Sequence, residues 1–325
     1  RRGLAGRSIA LAAVRGAVRV RGGGGAVLGG GGGGGGGGRG GGGWWGGGGG
    51  CFFFFFFFFS LRSPHRSRRP RPRRSASGCA AARRSSSTGA SPTSSPASTS
   101  PAKTVQSRAA GATIRLIPGS RQDCADAALA EAANIFYASH NWHPFFLHGT
   151  KTLAYELWED LGFTAPDNVI VPCGAGSNVL GCGIGFDELL RAGEITRSPR
   201  IFAAQPAHCA PIAREHLGLP AVPAQPTIAE GTAIAQPLRS AECRDVLTRS
   251  GGGAVMLDEA EIAAATLDLA RSGIYVEPTC AQGAAAFARL LEAGTIRADE
   301  TTVVVLTGTG LKATPRIAEM LGVAI

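Results

Sequence analysis

The chain has 325 residues, with 33 basic and 23 acidic side chains and a formal charge of +10. At about 150 residues per domain, that length holds about two domains. The composition is divided, however. Residues 1–50 hold 26 of the 49 glycines, residues 52–59 are eight consecutive phenylalanines, and residues 1–100 hold 16 arginines with no lysine, aspartate or glutamate. Residues 101–325 are left with 17 basic and 23 acidic side chains, a charge of −6. Any attraction to nucleic acid or acidic membrane therefore belongs to the arginine-rich leader alone. The longest uniform apolar run, 51–59, has nine residues, against about 20 for a membrane helix, so no membrane partner is expected. Consecutive glycines exclude collagen, which needs glycine at every third position. Eight cysteines occur without a CxxC pair. They read as reduced thiols in a reducing, cytoplasmic compartment, with neither a disulfide framework nor structural zinc.

Residues 1–102 show neither the strand period of two nor the helical period of 3.6. Glycine runs lose too much backbone entropy on ordering, and the Arg/Ser/Pro stretch over 61–100 cannot bury a core. A low-complexity, disordered leader is expected there. Three readings fit it: an acid-free transit peptide, which would imply organellar import; an Arg/Gly binder of single-stranded RNA; and a translated nucleotide repeat. The homopolymers favour the last.

From residue 103 the pattern becomes regular. Residues 113–118 (TIRLIP) read as a strand, 122–137 and 149–161 as helices, and 168–172 (NVIVP) as a buried strand. A glycine loop follows, then a helix to 191 and a strand over 200–205. Next come a helix over 241–249, a strand over 254–257, helices over 259–271 and 279–291, and a strand over 301–306 (TVVVL at its core) that runs into a second glycine turn. Strands alternating with helices predict an α/β fold built on a doubly wound, mostly parallel sheet. Ligands of such sheets sit at the carboxyl ends of the strands, where both glycine loops fall.

The first loop, Val171 to Asn178 (VPCGAGSN), has glycines at 174 and 176 followed by a helix start. Free amides and a helix N-terminus there suit a phosphate. A plain strand-to-helix turn fits the same residues. A dinucleotide fingerprint needs a third glycine at Val179 and an acid near Gln205, and has neither. The second loop, Val304 to Lys312 (VVLTGTGLK), puts Thr307 at a strand end. A neutral hydroxyl there suits a ring nitrogen of a flat ligand, although a plain turn again fits. The segment Ser139 to Thr152 holds His140, His143 and His148, but Pro144 interrupts any helix between them and no carboxylate falls at ligand spacing. An ordered loop is expected rather than a metal site. Asp258, Glu259 and Glu261 suit a helix N-terminus.

Taken together, SHNWHPFFLHGTKTLAYELWEDLG, APDNVIVPCGAGSN, PTIAEGTAIAQP, GIYVEPTCAQGAAA and VVVLTGTGLK resemble the threonine synthase family, fold-type-II enzymes that use pyridoxal 5'-phosphate and are related to the tryptophan synthase beta subunit. The resemblance covers residues 103–325, the C-terminal two-thirds, and makes that stretch the expected enzyme domain. It implies that Gly174, Ala175, Gly176, Ser177 and Asn178 surround the cofactor phosphate and that Thr307 faces the pyridine nitrogen. It further implies a small amino-acid substrate, with O-phosphohomoserine and water giving threonine and phosphate; a homodimer stays open. Threonine dehydratases and serine racemases share both glycine turns and imply a lyase as the alternative. Glu230 and Glu277 lie in family motifs, with no role assigned.

The departures concern the covalent chemistry. The family anchors its cofactor as a Schiff base on a lysine in a Ser-Phe-Lys-Asp-Arg-like segment upstream of the phosphate loop. The three lysines here, Lys103, Lys151 and Lys312, stand in other motifs. Ser86-Ser87-Thr88-Gly89 resembles the family's substrate-carboxylate loop, but Ala90 replaces its asparagine. Cys280 stands where serine is usual, and His148 where glutamate is usual. The expectation is an incomplete enzyme with no assigned catalytic residue and no turnover, or a non-catalytic fragment that binds phosphate or the cofactor.

Overall fold

A computed structural model describes residues 9–14, 17–22, 51–55, 92–97, 99, 101–109, 111–119, 121–135, 137, 139 and 141–324. The strands are β1 (Ile9–Val14), β2 (Ala17–Gly22), β3 (Cys51–Phe55), β4 (Pro92–Pro96), β5 (Thr113–Ile117), β6 (Asn168–Pro172), β7 (Arg200–Pro206), β8 (Gly253–Leu257) and β9 (Thr302–Leu306). The helices are α1 (Pro101–Ala109), α2 (Arg121–Ala130), α3 (Pro144–Thr150), α4 (Thr152–Asp160), α5 (Ser177–Arg191), α6 (Pro211–His216), α7 (Ser240–Arg249), α8 (Glu259–Arg271), α9 (Pro278–Glu292) and α10 (Thr314–Leu321).

The main sheet runs β1-β2-β3-β9-β6-β7-β8, with the β1/β2 and β2/β3 pairs antiparallel and the other four neighbouring pairs parallel. This is the expected α/β, mostly parallel sheet. Strands buried on both faces read as continuous apolar runs. All five residues of β6 and of β9 are buried. Each fully buried Val or Ile among them contributes about 1.5–3 kcal/mol. Their side chains alternate between two cores. Val169, Val171, Val303 and Val305 pack with α4, α5 and α7, whereas Ile170, Val304 and Leu306 pack with α8 and α9.

That division into two cores locates a crevice. From β6 the chain crosses by α5 on one face to β7, and then to β8. From β8 it returns by α8 and α9 on the other face to β9, which lies on the opposite side of β6. Strand order reverses between β6 and β9, and helices on opposite faces leave a crevice at their carboxyl ends. The other end of the same strands is closed by polar contacts. Arg200 bonds Asn168 (2.8 Å) and Glu300 (2.7 Å), and Asn168 donates to Glu300 (3.0 Å).

Two further elements differ from the sequence expectation. Strand β4 pairs in parallel with β5 across α1, a βαβ unit apart from the main sheet. Pro144 does not break a helix: it occupies the first position of α3, where its missing N–H costs nothing, and His143 caps the helix by accepting from the Phe145 amide (3.3 Å). At α8 the acids behave as read. Asp258 and Glu261 form a reciprocal capping box at 2.7 and 2.8 Å.

Candidate functional site

The loop 173–176 leaves the carboxyl end of β6. Gly176 has φ +87°, the left-handed region, and caps α5 without any side-chain bond. Leu180 is the first helix amide with a carbonyl partner, Gly176 O at 2.9 Å. Among the described residues, the amides of Ala175 to Val179 have no backbone partner. Free amides, no acidic side chain in the loop, and the positive end of a 15-residue helix make a receptor for a tetrahedral anion.

Each wall of this receptor comes from a segment distant in sequence. A Cβ on Gly174 would meet the Thr232 backbone at 3.1 Å and the Ile234 side chain at 3.3 Å. A Cβ on Gly176 would collide with Cys243 Sγ, whose thiol donates to Gly176 O at 3.8 Å. Asn141 is buried, and its side-chain amide donates to the Ala175 carbonyl; its backbone carbonyl accepts from Arg239 Nε at 2.8 Å. The bond from Asn141 satisfies the Ala175 carbonyl, which borders the amides of Ala175 to Val179. Thr279 Oγ1 accepts from the Gly231 amide at 3.0 Å, joining the 230–232 turn to α9.

The second loop leaves the adjacent strand. Asn168 pairs with Thr302 and Ile170 with Val304 in parallel, so the same offset sets Thr307 level with Cys173. Neighbouring strands lie about 4.8 Å apart, so the two turns stand side by side at the end of the sheet. Thr307 is half-buried, and its hydroxyl lies 3.3 Å from Cys280 Sγ on α9. Residues 174–178 and Thr307, singled out in the sequence, stand at the ends of the adjacent strands β6 and β9; Asn141 and Cys243, which contact the loop, were not singled out, and Cys280 was noted only as a departure.

The titratable groups are quiet. Burial pushes the Cys280 thiol up to about 12, and Glu277 adds to that. Burial likewise pushes Cys243 up to about 12 and Cys173 well above its ordinary value. Lys151 does not face the loop: it joins α3 to α4, and its amine bonds both carboxylate oxygens of Glu188 at 2.9 and 2.8 Å. That hydrogen bond raises the Lys151 pKa and keeps the amine protonated. Lys312 is exposed, in the turn after Thr307. The side chain of Lys103, together with His140 and Ser86 to Ala90, lies outside the described residues. His148 is exposed on α3, with no part in the crevice contacts.

A parallel sheet with two glycine turns at its switch point is the frame of an α/β enzyme that holds a phosphorylated ligand. Residues 78–308 match the family of pyridoxal-phosphate dependent enzymes, and the chain belongs to that family, whose members depend on pyridoxal phosphate. The match begins upstream of the composition boundary at 103. The chain is 34% identical over 216 residues to a threonine synthase of Methanocaldococcus jannaschii, covering 65% of this chain and 53% of the relative. It is 33% identical over 181 residues to a threonine synthase of Methanosarcina acetivorans, covering 54% and 45%. It thus spans about half the length of the curated relatives it matches. Among solved structures, threonine deaminase isoform 2 from Solanum lycopersicum aligns with TM-score 0.59 at 20% identity, covering 72% of this chain and 63% of that one. Maize serine racemase aligns with TM-score 0.56 at 20% identity, covering 72% and 70%. Among the described residues, no helix is long and apolar enough to cross a membrane.

Proposed function

We propose that this chain carries a threonine synthase-type site in which Gly174, Ala175, Gly176, Ser177 and Asn178 hold the phosphate of pyridoxal 5'-phosphate and Thr307 meets its ring nitrogen. The observation that carries this reading is the run of unpaired amides from Ala175 to Val179 at the strand switch point, one strand away from Thr307. The residues fit the group: glycines at 174 and 176, whose Cβ atoms would meet Thr232 and Cys243, let the loop turn tightly and leave its amides open. Bound there, the cofactor supplies an electron sink for carbanion chemistry.

The residues of this chain then bind and orient. The amides take the phosphate oxygens, Asn141 keeps the Ala175 carbonyl turned out of the way, and the hydroxyl at 307 offers a neutral donor to the ring. A neutral donor leaves the ring nitrogen unprotonated, which suits loss of phosphate from the γ-carbon and addition of water at the β-carbon of a small amino acid such as O-phosphohomoserine. The threonine synthase reading rests on the sequence relatives, and the lyase reading on the fold neighbours; the segment from Asn141 to Lys151 favours the former.

Covalent catalysis needs an amine poised at the cofactor. Lys151 is held as an ammonium by Glu188, so we assign no catalytic lysine and propose reversible cofactor binding without turnover. We propose a cofactor-binding domain over 103–325, to which the upstream strands β3 and β4 add by pairing with β9 and β5. The test is phosphate release from O-phosphohomoserine by the full chain with added pyridoxal phosphate. The expected rate equals the protein-free blank; a rate that scales with protein and vanishes in Gly176→Ala would contradict the proposed lack of turnover.

A further inference from the structure

Cys280 is the first-turn residue of α9 whose sulfur reaches across to the second glycine turn. Three groups converge on that sulfur. The Gly308 amide donates to it at 2.8 Å, Thr307 Oγ1 lies at 3.3 Å, and a Glu277 carboxylate oxygen lies at 3.8 Å. The thiol is fully buried and, with its pKa pushed up to about 12, it keeps its proton. Gly308 is itself fitted to this arrangement, because a Cβ there would collide with the Glu277 carboxylate.

One thiol proton thus has two acceptors, and the hydroxyl is the nearer. Either atom can donate across the 3.3 Å contact between Cys280 Sγ and Thr307 Oγ1; a ring nitrogen in the crevice needs a donor, and so selects the arrangement in which the thiol donates to Thr307. A threonine hydroxyl has one proton and two lone pairs. With a lone pair occupied by the thiol, its own proton is left for the crevice. Were the thiol turned to Glu277, the hydroxyl would donate to sulfur and present only lone pairs to a ligand. We infer that Cys280 is a positioning residue: its juxtaposition with Thr307 and Gly308 orients the hydroxyl so that the turn donates a hydrogen bond to an aromatic ring nitrogen. This rests on the proposed cofactor site and adds the residue that sets its polarity.

The probes are pyridoxal 5'-phosphate and its 1-deaza analogue, in which a C–H replaces the ring nitrogen. Both carry the same phosphate, so damage to the cradle or to stability weakens both equally. Their affinity ratio isolates the ring contact. The full chain is expected to favour the parent by about fivefold, the size of one net hydrogen bond. Cys280→Ala should bring the ratio close to one, and Cys280→Ser, which keeps a donor, should preserve it. A ratio unchanged in Cys280→Ala, with both ligands bound, overturns the positioning role and leaves the cofactor site standing. Failure of the unsubstituted chain to bind either probe overturns the site and this inference with it.

Discussion

The sulfur of Cys243 lies directly beneath Gly176, donating to its carbonyl from 3.8 Å in the space a Cβ would fill. The turn is therefore constrained twice, by a left-handed φ of +87° and by a filled volume. Gly176→Ala should destabilise by about 1–2 kcal/mol from the backbone alone, with the collision added. Adding Cys243→Ala should recover the collision part and leave the backbone part. Urea unfolding of the two single variants and the double variant reads this coupling directly; additive effects would show that the two residues do not meet.

Asn141 is the polar group that turns the Ala175 carbonyl away from the amides. Asn141→Ala keeps the backbone carbonyl that Arg239 bonds but leaves the Ala175 carbonyl without its side-chain donor, at a cost of about 1–3 kcal/mol. Phosphate affinity should fall with it, because a released carbonyl can face the anion. Stability lost with anion affinity unchanged would confine Asn141 to a packing role.

Lys151 and Glu188 fix where α3 and α4 meet α5. The hydrogen bond from Lys151 holds the Glu188 carboxyl below its ordinary 4.5, and the same bond holds Lys151 above its ordinary 10.5. A depressed carboxyl stabilises above its unfolded pKa and loses that contribution as pH falls through its folded value. A raised amine stabilises below its unfolded pKa and loses that contribution as pH rises through its folded value. The contribution therefore spans the range from about pH 4.5 to 10.5. Glu188→Gln should lower the melting temperature at pH 7 and converge with the parent at acid pH. Parallel melting curves at all pH values would contradict the pairing.

Buried neutral thiols do not alkylate, because the thiolate is the nucleophile. Cys182, Cys243 and Cys280, each pushed up to about 12 by burial, should resist iodoacetamide at pH 8 in the folded chain and label fully in urea. Peptide mass mapping distinguishes them. Labelling of Cys280 before global unfolding would show that α9 opens locally at the site.

Strands β6 and β9 were legible because full burial forces continuous apolar runs, as in NVIVP and the TVVVL strand, whereas β3, parallel to β9, falls in the stretch read as a leader. Helix α8 was legible from its acids and its period. Strand β4 was not: PTSSP has two prolines and no apolar period, and it is a strand only because β5 supplies the pairing. Helix α3 was masked by Pro144, read as a breaker when it is an opener. Residues 122–137 read as one helix, but α2 ends at Ala130, since its small residues build no apolar face to carry it further. The two glycine loops announced themselves by composition and strand context. Asn141 and Cys243 did not, because their roles arise from contacts across 34 and 67 positions that no local pattern encodes.

On the proposed reading, amides at the end of β6 grip the phosphate of the cofactor while no lysine captures it. Titrating the full chain with pyridoxal 5'-phosphate and with pyridoxal, in parallel and with borohydride reduction at the end, tests it most directly. Saturable binding of the phosphorylated form alone, displaced by inorganic phosphate and leaving no reduced adduct on any lysine, is the predicted result. Equal binding of pyridoxal, or a stable adduct on a lysine, would contradict the account.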